Sequence, residues 1–239
     1  MSRAELEALL VVQERDTALD RLRHRRATLP ERAQLEARTT ESETVQRRRD
    51  AVQRERDTVH ADERRIDDEA RAIEAHAVDV EKNLYSGSTN SPRELQAMQA
   101  DLEMLKRQVS ELEDQELEVM EQRETLDSAL VEFDASLGAL AAEQERLRDA
   151  IGVAEGEIDA EIAAEETARA EVAATVGDVL LKDYDRRRSQ NRGAGAARLT
   201  GTTCNACHLT IPSTEAERIR RADGNEVAYC DNCGAILVP

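Results

Sequence analysis

A chain of 239 residues has room for one or two ordinary domains, but 2% aromatic residues, no tryptophan and 35% charged residues exclude a conventional globular core. A formal net charge of -18 excludes a nucleic-acid sleeve along the whole length and favours a self-repelling, soluble particle. No apolar run is long enough to span a bilayer, and MSRAELEALL lacks the sections of a signal peptide, so the expected compartment is the cytoplasm, with no membrane partner.

The first segment runs to about Leu29, with Leu6, Leu9, Val12, Leu19 and Leu22 at helical spacing. Pro30 cannot continue a helix but starts one well, so a kink or restart is expected there, dividing an N-terminal arm from a longer stalk. Arg21, Arg23, Arg25 and Arg26 form a basic cluster in this arm, read as a solvated face pairing with neighbouring acids, with a phosphate-contacting patch as the alternative. His60 and His76 lack a second ligand at helical spacing and read as surface histidines.

Val45, Val52, Val59, Ile66, Ile73 and Val80 then recur every seven residues, with Ala70, Ala77 and Leu84 as a weaker companion stripe. The stretch LYSGSTNSPREL, Leu84 to Leu95, breaks the pattern. Gly87 tolerates positive φ, Pro92 suits a first helical turn, and Ser91 with Glu94 fits a capping box. A second seam follows in one phase: Met98, Leu105, Leu112, Val119, Leu126, Phe133, Leu140 and Leu147, with Leu95, Leu102, Val109, Leu130, Leu137, Ile151 and Ile158 between. Two seams joined by a short turn predict a long antiparallel coiled-coil hairpin. Reflection about the turn predicts Ile73 near Leu102, Ile66 near Val109 and Val45 near Leu130. It leaves Glu116 and Arg123 near Val59 and Val52 as a polar layer that sets register. Straight helices of this length would span roughly 120 Å.

The helical spacing thins but persists to Tyr184, with Gly152, Gly156 and Gly177 as candidate bends. Asp185 to Gly195 reads as a helix end running into a flexible link, so the hairpin is assigned to residues 1–188, with its turn at about 84–92, and a separate C-terminal module to 189–239. That module holds all four cysteines: Cys204 and Cys207, then twenty-two residues, then Cys230 and Cys233. Two C-x-x-C knuckles supply four thiolates for a tetrahedral structural Zn2+, while a redox dithiol and an iron–sulfur cluster are the other chemistries such pairs serve. Four protein ligands leave no open position for water, so metal hydrolysis is not expected. A short helix over Glu215 to Arg221 and strands over Glu226 to Tyr229 and Ala235 to Val238 complete the module.

LYSGSTNSPRELQAMQADLEMLKRQ together with CNACHLTIP and YCDNCGAILV resembles the turn and ribbon signatures of the bacterial coiled-coil proteins that end in a C4 zinc ribbon. The resemblance implies the hairpin-plus-ribbon architecture from end to end and makes Cys204, Cys207, Cys230 and Cys233 the zinc ligands. Members of that family include a flagellar regulator that chaperones sigma-54 and binds messenger RNA, and a protein that contacts sigma-54 and a secretion ATPase. By resemblance, protein partners in transcription, secretion or chaperone-type regulation are implied.

No nucleophile–base pair or phosphate-binding loop is visible, so no enzymatic activity is expected. The favoured function is an interaction or adaptor protein whose rod and ribbon dock to a protein partner. The alternative is RNA or DNA binding through Arg186, Arg187, Arg188, Arg192 and Arg198, helped by Arg218, Arg220 and Arg221. Tyr229 is the one aromatic residue in the ribbon, which leaves little to stack bases. Monomer and dimer are both compatible with the under-filled seam.

Overall fold

The computed structural model describes residues 2–87, 91–191, 193–221 and 226–239. Helix α1 spans Arg3–Ala27, α2 Pro30–Tyr85, α3 Pro92–Ala173 and α4 Asp178–Gln190. Strands β1 (Ala196–Thr200) and β2 (Thr203–Cys204), helix α5 (Ser213–Arg221), and strands β3 (Ala228–Tyr229) and β4 (Ile236–Val238) complete the chain. None of the described helices is long and apolar enough to cross a membrane. The contacts divide the chain into two compact units: Gln34–Arg146, and Met1–Ala33 with Leu147–Pro239.

Residues 34–146 hold the greater part of the helical hairpin. Tyr85 ends α2 and Pro92 opens α3, where the Ser91 carbonyl accepts from the N–H groups of Glu94 and Leu95, both at 3.1 Å. Gly87 has φ 72, the conformation its lack of Cβ permits. Ser88, Thr89 and Asn90 of the expected turn lie outside the described residues.

The helices run antiparallel, but their register differs from the expected one by about one heptad. Arg49 bonds Asp134 and Arg56 bonds Asp127, both at 2.9 Å, and the Gln144 amide donates to the Arg38 carbonyl at 3.3 Å. Ala77 packs with Leu102 and Leu105. A slip of seven residues maps each seam onto itself, so apolar spacing alone cannot choose between the two registers. Cross-helix charge can choose. Arg123, expected beside Val52, instead donates at 2.6 Å to both carboxylate oxygens of Glu63 on α2.

The other unit is built on the N-terminal arm. Ser2 caps α1 with a full capping box to Glu5, the same S-x-x-E pattern noted at the turn. The helix stops at Ala27 and restarts at Pro30, where the missing N–H is no loss. The basic cluster faces acids of α3: Arg23 meets Glu166, Arg25 meets Glu161, and Arg26 meets Asp159 and Glu155. α3 is continuous through Gly152 and Gly156. The helix expected as far as Tyr184 is interrupted at 174–177; Gly177 is the N-cap residue of α4, and its N–H separately donates to Glu5 Oε1 at 3.2 Å.

The ribbon sheet has the order β2-β1-β4-β3. β1 and β4 run parallel, pairing Ala196 with Ile236 and Arg198 with Val238, while β2 and β3 pair antiparallel at the two edges. Successive side chains of a strand point to opposite faces, and both faces here are covered. Ala196, Ile236 and Val238 join Leu6, Leu9, Val12, Val176, Leu180 and Tyr184 in one core. Ala197, Leu199 and Leu237 face α5, packing on Ile211, Ala216, Ile219 and the cysteines. The ribbon therefore docks on the N-terminal arm and α4.

Gln13 fastens the entry to the sheet. Its Oε1 accepts from the N–H groups of Gly195 (2.7 Å) and Ala196 (3.2 Å), and its Nε2 donates to the Gly193 carbonyl (2.8 Å). β1 follows the link directly. AARLT carries no alternating apolar signal, and this strand is ordered by neighbours distant in the chain.

Candidate metal centre and basic surface

Each pair of cysteines sits in a tight knuckle, and the two knuckles repeat one geometry. The Cys204 N–H donates to the Leu209 carbonyl at 3.1 Å, and the Cys230 N–H to the Ala235 carbonyl at 2.9 Å. The residue after the second cysteine donates back to the first: His208 to the Cys204 carbonyl at 2.8 Å, and Gly234 to the Cys230 carbonyl at 2.7 Å. Closing that turn requires positive φ, which is 59° at His208 and 74° at Gly234. Gly234 adopts this conformation freely, whereas His208 holds it with a side chain and is strained. His208 is exposed and stands outside the ligand set.

The four sulfur atoms lie within 4.8 Å of one another. Cys204 and Cys233 Sγ are 3.9 Å apart, and Cys207 and Cys230 Sγ 3.8 Å. A regular tetrahedron with metal–sulfur bonds of about 2.3 Å has edges of about 3.8 Å, so these two spacings match a Zn2+ thiolate site and the other sulfur atoms lie close enough to complete it. Burial pushes the Cys233 thiol up to about 12 and also raises Cys204, whereas the Leu209 N–H lowers Cys207. Four thiolates would not coexist here without a dication. Bound Zn2+ compensates their charge and ties the two knuckles together, filling its coordination with protein sulfur.

Residues 12–192 match the model of the CT398-like coiled coil hairpin domain, and residues 203–237 that of the C4-type zinc ribbon domain. The chain belongs to the CT398-like hairpin family. Its relatives include an uncharacterized Mycobacterium tuberculosis protein, Rv2229c, 31% identical over 98% of this chain and 95% of that protein. A solved Mycobacterium smegmatis structure has TM-score 0.88 at 28% identity, covering 100% of this chain and 99% of the other. CT398 of Chlamydia trachomatis has TM-score 0.70 at 17% identity, over 98% and 96% of the two chains, and shares the fold.

In this CT398-like chain the described arginines among those considered for nucleic acid are each bonded within the protein. Arg186 bonds Asp183, and Arg198 bonds Glu7 at 2.6 Å. Arg218 bonds Glu215 at 2.7 Å, Arg221 bonds Glu217 at 2.6 Å, and Arg220 donates to the Ala216 carbonyl at 3.2 Å. Arg188 reaches from α4 to Asp20 and the Asp16 carbonyl on α1. Arg192 lies outside the described residues.

Arg187 supports the ribbon. Its guanidinium lies 3.6 Å from the centre of the Tyr229 ring, donates to the Gly234 carbonyl at 2.7 Å and bonds Asp183 at 2.9 Å. It therefore clamps the second knuckle to α4. Nothing in the sequence marks it off from its two arginine neighbours.

Proposed function

We propose that this chain is a non-enzymatic adaptor that presents a coiled-coil hairpin, residues 1–188, and a zinc ribbon, residues 189–239, to a protein partner. Its two matched families are a hairpin and a ribbon, and neither is an enzyme family. The observation that carries the reading is the engagement of the ribbon-side arginines. Arg186, Arg187, Arg188, Arg198, Arg218 and Arg221 each bond a carboxylate of this chain, so phosphate binding would first have to displace those acids. The formal charge of -18 opposes the same event at longer range.

The test is cross-linking in cells of the intact tagged chain, followed by capture with and without nuclease. A defined protein partner retained after nuclease supports the adaptor. Recovery that collapses with nuclease overturns it in favour of RNA or DNA binding.

A further inference from the structure

A groove of about 670 Å3 opens between the start of α4 and the edge strand β3. Val179, Leu180, Val227 and Tyr229 form its apolar lining. Val179 is 86% exposed, more than any other large apolar side chain among the described residues, although valine is one of the residue types most often buried. Three carboxylates, Glu5, Asp178 and Asp183, stand around this lining, Glu5 accepting from the Ser2 and Gly177 N–H groups, and among the described residues that line the groove none is Lys or Arg. Arg186 and Arg187 both bond Asp183, and the Arg187 guanidinium lies over the Tyr229 ring, so the charge of Asp183 is already compensated within the chain. Asp178, exposed beside Val179, makes no ion pair among the described residues.

We propose that this groove receives an extended segment of a partner protein in which basic side chains alternate with small apolar ones. Complementary charge selects the basic residues, and the Val179–Val227–Tyr229 lining selects the apolar ones. β3 is paired only with β4 in the described sheet, and an edge strand beside an apolar groove suits a partner that adds as a strand. An acidic segment or a phosphate backbone meets the unpaired carboxylate of Asp178 there and is repelled. The inference rests on the adaptor reading and gives its partner a chemistry.

The probe is a fluorescent nonapeptide alternating Lys or Arg with Val or Ile, with a Glu-for-Lys/Arg counterpart, titrated against the zinc-loaded full chain. Amide shifts are mapped on isotope-labelled protein. The expected result is binding of the basic peptide alone, with shifts concentrated at Val179, Val227 and Tyr229. Val179→Lys and Asp178→Lys should each weaken it by about tenfold or more, while Asp114→Lys on α3 serves as the control for non-specific attraction to an acidic protein.

Val179 and Asp178 are exposed, so zinc content and circular dichroism of both variants should match the parent. Absence of binding, equal binding of the acidic peptide, or equal losses in the Asp114→Lys control would overturn the proposal. So would a parent dimer that Val179→Lys converts to monomer, because the groove would then be covered by a second copy. If nuclease-resistant capture persists in Val179→Lys, the groove assignment fails and the adaptor survives. If capture is nuclease-sensitive in the parent, the adaptor reading itself fails.

Discussion

The Tyr184 hydroxyl donates a 2.7 Å hydrogen bond to Oδ2 of Asp16, joining α4 to α1 inside the core on which the ribbon rests. Tyr184 is fully buried, and Asp16 also accepts from Arg169 at 2.9 Å. Tyr184→Phe removes a bond to a charged acceptor and should cost about 1.5–3 kcal/mol. Asp16→Ala should cost more, about 3–5 kcal/mol, because Arg169 and Arg188 lose a shared carboxylate. Urea unfolding of the two variants checks the order.

Burial, with the Asp16 bond second, raises the Tyr184 phenol far above its ordinary value of about 10. A group whose folded pKa is raised stabilises the fold below its unfolded pKa and loses that contribution as pH rises beyond it. In an alkaline titration followed by tyrosinate absorbance, Tyr184 should ionise only as the protein unfolds. The Tyr184→Phe variant should lack that late component.

Gly195 is needed for close approach. A Cβ there would lie 2.6 Å from two Tyr184 ring carbons and 2.8 Å from the Tyr184 carbonyl. Gly195→Ala should therefore cost about 1–3 kcal/mol and loosen β1 from α4. Hydrogen exchange at Ala196 and Ala197 should rise, with residues 34–146 unaffected.

Gly234→Ala places a side chain at positive φ and sets its Cβ 3.3 Å from Asn191 Nδ2, so zinc retention against a chelator should fall. His208→Gly relieves the equivalent strain in the first knuckle and should preserve or improve retention. Loss of zinc in the histidine variant would instead show that the imidazole supports the site.

Removing zinc should unfold the ribbon and uncover Leu6, Leu9 and Val12, which pack against Ile236 and Val238. Binding of a hydrophobic dye should increase and α1 should exchange faster, while the Gln34–Arg146 unit keeps its helical signal. Unchanged proteolysis of the ribbon after chelation would refute the structural role of the metal.

Single alanine substitutions should separate the three consecutive arginines. Arg186→Ala alters an exposed i,i+3 pair and should change stability by no more than about 0.5 kcal/mol. Arg187→Ala removes the knuckle clamp, and Arg188→Ala removes the contacts with Asp16 and Asp20, so both should destabilise the ribbon end measurably by thermal melting.

The hairpin and its turn were legible because seven-residue spacing, Gly87 and Pro92 act through local backbone preference and one-dimensional pattern. The cysteine pairs were legible because few chemistries need that spacing. Gln13, Asp16, Tyr184 and Gly195 gave no such signal: each is an ordinary residue type until folding brings together positions more than 160 residues apart.

Periodicity, turn chemistry and ligand spacing thus determined a helical hairpin ending in a four-thiolate ribbon. The heptad register, the seating of the ribbon on α1 and α4, and the division of the arginines into surface pairs and structural clamps came only with the folded chain. A seven-residue slip leaves an apolar seam unchanged, so cross-helix ion pairs must distinguish the registers. A charged side chain likewise acquires its role from the acid, ring or carbonyl that long-range packing places beside it.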